Sequence, residues 1–360
     1  MLRVRVPALA VVVSICCAAA GEDQGPLVDE VVKPFLADKD YLGLTVGVVT
    51  PKSTKIYSYG KVTLGGEQRP PDGDTIFALA SLTKAYAGVL LADLVRAGKI
   101  QLDDPAQKYL PAEWVLPTRD GKAVTILDLA THHSGVPVQP KCLNFLGNPY
   151  SSLTIEKIGK DLKNTELESE PGSKFTYSNY GFGLLGHALA KAAGAESFDD
   201  ALAARITGPL GMKDTRVQLN DAQKARRAAG FTKAGKPADH WEFALLEACG
   251  GLNSTIHDQV RFLSANLGLT PSPLLPSLRD SRQPRRNTER KPQQIGLGWI
   301  VMPLRPESKH SVVWHNGGTR ATHSFLGLVP DAQVGVVILA GADQRIDPLA
   351  LDLLRKLVPE

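Results

Sequence analysis

Between Ala85 and Val95 the chain reads "AYAGVLLADLV", in which Asp93 is the one charged residue, and the helical pattern runs on to a glycine stop at Gly98. Ala85, Ala87, Val89, Leu90, Leu91, Ala92, Leu94 and Val95 leave almost no polar face on such a helix. A helix that is apolar all round is stable only where other elements surround it, so this segment must lie at the centre of the fold. That demands a large core. With 360 residues, 43% of them apolar, the chain can build one, as one large domain or as two closely joined lobes.

The two ends of the chain are rich in strand signals. "LGLTVGVVTPKSTKIYSYGKVT" from Leu42 offers two β-rich runs broken at Pro51-Lys52-Ser53, a hairpin pattern. Near the other end, "GLGWIVMPL", "SVVWHNGGT", "HSFLGLVP" and "VGVVILAGA" are short β-branched or aromatic runs, followed by a helical pattern in "DPLALDLLRKLVPE". Between them, "YGFGLLGHALAKAAG" has helical spacing of Phe182, Leu185 and Leu189 with a stop at Gly194, and "STIHDQVRFLSANLG" has a cap and a stop at Gly268. This order predicts an α/β (α+β) fold: an antiparallel sheet formed by both chain ends, flanked by helices, with a large, mostly helical inserted lobe. The sheet lobe is expected over about residues 21–75 and 290–360, and the helical lobe over about 76–289. The basic stretch "RDSRQPRRNTERKPQQ" from Arg279 reads as a solvated connector between them.

Charge and the N-terminal pattern narrow the function classes. A net charge of +4, with 22% charged residues, lacks the concentrated basic stripe and stacking aromatics of a nucleic-acid binder, so no nucleic-acid partner is expected. Arg3 and Arg5 precede an apolar run that ends in Ala18-Ala19-Ala20, the layout of a secretory signal cut after Ala20. Residues 21–360 are then expected to form a single exported domain, periplasmic or secreted, monomeric and without a membrane span. Lipid anchoring at Cys16 or Cys17 is disfavoured, because Ile15 or Cys16 stands where a small residue should precede the modified cysteine. Cys142 and Cys249 remain, and either one disulfide or two free thiols fits them. Adjacent His132 and His133 diverge and lack a carboxylate or cysteine at ligand spacing. No metal and no cofactor is therefore expected, and His133-Ser134-Gly135 reads as a loop beside a cleft.

Ser81 and Lys84 open the central helical segment three residues apart, on one face of the helix. Serine alone is a poor nucleophile, and a lysine in a dry pocket can serve as its base. The same spacing recurs at Ser58 and Lys61, but in a strand pattern, where residues three apart point to opposite faces. At the mouth of a buried helix, the Ser81 hydroxyl and backbone N–H would face a cleft where the helix's partial positive charge favours a developing oxyanion. Two further segments could face that cleft. "FTYSNYG" holds Tyr177-Ser178-Asn179 in a loop just before a helix. "VVWHNGGT" holds His315-Asn316-Gly317-Gly318 in a strand, where His315 and Gly317 share a face and the glycines leave room for a substrate backbone.

"SLTK", "YSN" and "HNG", in that order and far apart, resemble the three signature elements of the penicillin-recognising serine hydrolases: class C β-lactamases, DD-peptidases and related esterases. The likeness extends through "LDDPAQKYLP", "DLATHHSGVP", "PGSKFTYSNYGFGLLG", "GGLNSTIHD", "GLGW" and "WHNGGTRATHSFLGLVPD", which spread over nearly the whole mature chain. The resemblance implies that Ser81 attacks a carbonyl carbon and forms an acyl-enzyme, that Lys84 and Tyr177 share the proton traffic, and that Tyr177 activates water for deacylation. It implies also that Asn179 bonds a substrate amide or Lys84, and that the Ser81 and Gly318 N–H groups form the oxyanion hole. His315 departs from the lysine that most lactamases carry. A mostly neutral histidine grips a free carboxylate weakly unless nearby Arg320 compensates, which turns the expectation toward a peptidase or esterase. The expected partner is a small-molecule or peptidoglycan-peptide substrate, a D-alanyl peptide, β-lactam or small ester. The alternative is a penicillin or peptidoglycan sensor that acylates without turnover.

Overall fold

The computed structural model describes residues 23–144 and 147–359, so the secretory-signal pattern, with Cys16 and Cys17, lies outside the described residues. Helix α1 (Gly25–Leu36) leads into β1 (Leu44–Val49) and β2 (Thr54–Tyr59), joined by the expected turn at Pro51-Lys52-Ser53. Six strands from the other end of the chain complete the sheet: β3 (Arg286–Asn287), β4 (Gln294–Ile295), β5 (Ile300–Pro303), β6 (Ser311–Gly318), β7 (His323–Val329) and β8 (Val334–Ala340). The eight strands run antiparallel in the order β2-β1-β8-β7-β6-β5-β4-β3. β1 pairs with β8 in the register Gly47↔Val337, so the two distant strand-rich regions close one sheet.

Both faces of this sheet are covered, which explains why β1 and β8 are buried at every residue rather than at alternate ones. On one face, Val46, Val48, Val336 and Ile338 pack with Val28 and Val32 of α1 and with Leu349 and Leu353 of the C-terminal helix, Asp347–Leu357. On the other face lies the large core that continues into the helical lobe. At its centre is α2 (Thr83–Arg96), buried without interruption from Thr83 to Ala92. Around it stand α3 (Asn179–Ala193) and α4 (Ile256–Leu267). Ser178 caps α3 by accepting the Gly181 N–H at 2.8 Å, and Gly194 ends it in the left-handed conformation. The cap of α4 falls on Thr255, and Gly268 ends that helix. No described helix is long and apolar enough to cross a membrane.

Two expectations need correction or completion. The basic stretch from Arg279 is not merely a solvated connector. Arg282 is buried and donates to the Asn266 carbonyl at 2.7 Å, Arg285 pairs with Asp280, and Arg286 meets the buried Asp128 at 2.7 Å. The sequence shows an excess of cations there because two of the acceptors, Asn266 and Asp128, belong to other elements. Cys142 and Cys249 are free thiols, Cys142 exposed and Cys249 buried.

Gly88 shows how tightly α2 is held. A Cβ at this position would overlap the Leu297 carbonyl oxygen. Alanine would raise helix propensity by about 1 kcal/mol, but backbone has to shift to admit it, and such overpacking costs about 1–3 kcal/mol or more. Gly88→Ala is therefore expected to lower the urea midpoint despite the better helix former. A variant as stable as its parent would show that the helix and Leu297 separate freely.

Candidate active site

The approach to α2 is built as a constrained turn. Ile76–Ala78 pairs with Asn253–Thr255, and Ala80 then takes φ +48° before a 3₁₀ turn, Ala80–Leu82, that carries Ser81. Ser81 thus lies just ahead of the α-helix rather than within it. A non-glycine residue in the left-handed region stores roughly 1–3 kcal/mol and persists only where its surroundings hold it. Here they do. The Leu79 N–H donates to Leu252 O at 2.8 Å, Leu79 O accepts from Ser324 Oγ at 2.6 Å, and Ala80 O accepts from Thr83 Oγ1 at 2.7 Å.

Lys84 follows one turn later and is fully buried. Its Nζ contacts three oxygens: Ser81 Oγ at 3.0 Å, Asn179 Oδ1 at 2.8 Å and the Cys249 carbonyl at 2.6 Å. A buried cation without partners would be prohibitive, and this lysine has one acceptor for each ammonium proton. The Tyr177 ring lies beneath it, its centroid 4.8 Å from Nζ, with Phe182 at 5.6 Å. Among the described residues the half-buried Tyr177 hydroxyl takes no hydrogen bond. Asn179 turns its amide nitrogen toward Tyr150 Oη at 3.5 Å, and Tyr150 donates to Gln139 Oε1 at 3.0 Å. Tyr150 also stacks on Phe243 at 4.8 Å, and burial pushes its hydroxyl pKa far up, so it remains a neutral donor. Nothing in the spacing of Gln139 or Tyr150 singles them out; only the fold brings them to Asn179.

Strand β6 forms the opposite wall. A Cβ on Gly317 would overlap Leu79 O and lie 2.9 Å from the Ser81 nitrogen, so the glycine lets the strand backbone run alongside the Ser81 turn. His315 is buried on this strand, with Nδ1 2.5 Å from the Asn316 carbonyl. A carbonyl can only accept, so Nδ1 carries the proton and Nε2 presents a lone pair. Burial first, and the charge of Lys84 second, push the His315 pKa down to about 3, which leaves the ring neutral. Asn316 is half-buried, and Gly318 is exposed at the strand's end beside the His323 ring. Arg320 is exposed in the following turn and, among the described residues, has neither hydrogen bond nor ion pair. The structure therefore joins Ser81, Lys84 and Asn179 by hydrogen bonds, sets Tyr177 against Lys84, and lays Gly317 against Ser81. Arg320 stays outside that bonded group. Among the described residues no cluster of histidine, cysteine or carboxylate groups could hold a metal ion.

Three comparisons relate the chain to known proteins. The sequence profile of the β-lactamase family matches residues 28–357. The chain is 27% identical to the D-alanyl-D-alanine-carboxypeptidase/endopeptidase AmpH of Escherichia coli K12, over 82% of this chain and 78% of that one. It is 25% identical to a β-lactamase of the same organism over 94% of each chain, and 26% identical to a Pseudomonas fluorescens β-lactamase over 87% of this chain and 92% of that one. Its fold superposes on a class C β-lactamase with a TM-score of 0.81 at 23% identity, covering 93% of this chain and 96% of the other. A match along almost the whole described chain, in sequence profile and in fold alike, has one reading: this chain belongs to the β-lactamase family.

Proposed function

We propose that this protein is an exported serine hydrolase that cleaves an amide or ester through an acyl-enzyme on Ser81. The observation that carries this reading is the set of acceptors around Lys84 Nζ. Asn179 Oδ1 and Cys249 O are carbonyl oxygens, which can only accept, so each requires an N–H from the lysine in every protonation state. The third direction points at a hydroxyl, which can accept or donate. A neutral amine keeps both carbonyl bonds and offers its lone pair to the Ser81 proton, whereas an ammonium donates to Ser81 Oγ. The amine can thus take up or return a proton along this 3.0 Å line without moving, as general acid–base work requires.

In the proposed reaction Ser81 Oγ bonds to the substrate carbonyl carbon while its proton passes to the Lys84 amine, directly or through the Tyr177 hydroxyl, which hands its own proton on. The proton then moves to the leaving nitrogen or oxygen as the scissile bond breaks. Water next attacks the ester, its proton passing to the Lys84 amine directly or through Tyr177, whose hydroxyl hands its own proton on, and Lys84 returns a proton to Ser81 Oγ as it leaves. The N–H groups of Ser81 and Gly318 receive the oxyanion, and Asn179 holds Lys84 in place. His315, neutral and with an acceptor nitrogen, offers no cation to a free carboxylate. Arg320, exposed at the end of the same wall, is assigned that task. D-alanyl peptides, β-lactams and small esters are the proposed substrates; similarity to a carboxypeptidase/endopeptidase and to β-lactamases supports that range, and the N-terminal signal pattern supports export.

Three measurements test this reading. A fluorescent penicillin or a phosphonate should label the protein covalently and Ser81→Ala should abolish the label; labelling that survives removes Ser81 as nucleophile, and an adduct lasting hours without product indicates a sensor. Arg320→Ala should raise KM about 10- to 100-fold for a carboxylate-bearing substrate, the worth of a charge-assisted hydrogen bond, and spare a neutral ester. Equal effects on both substrates would take Arg320 out of the site. Because the folded His315 pKa is about 3 and its ordinary value is 6.5, the unfolded chain binds more protons between these limits. Its contribution to stability is complete above about pH 6.5 and is lost as the pH falls toward about 3. Urea titrations across that window should show a shallower decline for His315→Asn than for the parent; identical slopes would mean that His315 is not buried as a neutral ring.

A further inference from the structure

His132 is buried, has φ +59°, and plays no part in the reaction proposed above. Its backbone carbonyl accepts the Thr176 N–H at 2.8 Å, and its ring Nδ1 lies 2.9 Å from the Ser178 N–H. The residue between those two donors is Tyr177. His132 therefore holds the backbone on both sides of Tyr177, and its ring packs against the Tyr177 ring at a centroid distance of 4.3 Å. The imidazole also meets the Phe182 ring, at a centroid distance of 4.7 Å, so it touches both aromatic groups that face Lys84.

The protonation state follows from the bonding. An amide N–H can only donate, so Nδ1 must be the lone-pair nitrogen, and a neutral ring then carries its proton on Nε2. Burial, reinforced by the charge of Lys84, holds the His132 pKa well below its ordinary value, so the ring remains neutral. Among the described residues, the buried Nε2 has no hydrogen-bond partner. Its surroundings include the Phe175 ring, edge-on at 5.6 Å. Leaving a buried donor unpaired costs about 1–3 kcal/mol, and the left-handed backbone of His132 adds to this. Both costs attend a geometry whose result is to orient one loop residue.

We propose that His132 is a positioning residue that clamps the Thr176–Ser178 backbone and the Tyr177 ring, fixing the Tyr177 hydroxyl relative to Ser81 and Lys84. This rests on the reading of Tyr177 as the group that exchanges protons during acyl transfer. The clamp needs an acceptor at Nδ1 and a residue that tolerates positive φ. Asparagine supplies both, with Oδ1 at the place of Nδ1, whereas phenylalanine supplies bulk alone.

The test is the rate at which a fluorophosphonate labels Ser81 in the parent, in His132→Phe, His132→Asn and Tyr177→Phe, and in the His132→Phe/Tyr177→Phe double variant, each checked for folding by thermal melting. His132→Phe should slow labelling roughly 10- to 100-fold, the effect of misplacing a reacting group by about 1 Å. His132→Asn should recover most of that loss, and the double variant should label no more slowly than Tyr177→Phe alone. Equal rates for His132→Phe and parent would overturn the clamp, as would an undiminished His132 effect in the Tyr177→Phe background or failure of asparagine to rescue. If Tyr177→Phe itself labels at the parental rate, the reading of Tyr177 falls instead. Should His132→Phe not fold, the imidazole nitrogen resonances of the parent still decide: a bare Nδ1 and a protonated Nε2 near neutral pH support the clamp, and a proton on Nδ1 overturns it.

Discussion

One buried amine organises the cleft. Lys84 sits on a helix with no exposed face, and its Nζ ties together the Ser81 turn, the start of α3 at Asn179 and the Cys249 carbonyl. Any of these elements, displaced by about 1 Å, would leave a buried N–H or a buried charge without a partner, at a cost of at least 1–3 kcal/mol. The tight packing of α2 is the condition for this arrangement. Gly88 admits the Leu297 carbonyl on one side, and Gly317 admits β6 beside the Ser81 turn on the other. Two glycines thus set the distance between the helix and its walls, and the amine makes that distance consequential.

The wall facing Lys84 is electrostatically quiet. His315 is neutral with its proton directed to the Asn316 carbonyl, so this residue adds no second positive charge beside Lys84. A second buried cation would repel Lys84, which contributes to the depressed pKa values of both His315 and His132. Arg320, without an ion pair among the described residues, is instead exposed just past the end of β6, where hydration removes the desolvation penalty. On the proposed reading, proton transfer falls in a dry interior and charge recognition at a wet rim.

Much of this was legible in the residues. The apolar run after Lys84 required a central helix, and the structure buries it from Thr83 to Ala92. The Pro51-Lys52-Ser53 turn and the Gly194 and Gly268 stops are local features, decided by backbone preference within a few residues, and each appears where the pattern put it. The neutrality of His315 also followed from its residue type, and burial deepens it. Arg282 and Arg286 depart from the solvated pattern of the 279–294 stretch, because a solvated cation and a buried one look alike until the acceptor is known. Gln139, Tyr150 and the Cys249 carbonyl carried no signal, since they reach the site by chance-like spacings of tens to more than a hundred residues.

By itself the sequence determined what could be read from short-range periodicity and residue chemistry: a central helix with Ser81 and Lys84 at its mouth, a sheet drawn from both ends, and a histidine where a permanent cation could have stood. Tertiary structure alone decided who accepts the lysine's protons, which thiols stay apart, and that His132 brackets Tyr177. The physical reason is that hydrogen bonds and burial act over a few ångströms in space, whereas the groups involved lie up to 165 residues apart along the chain.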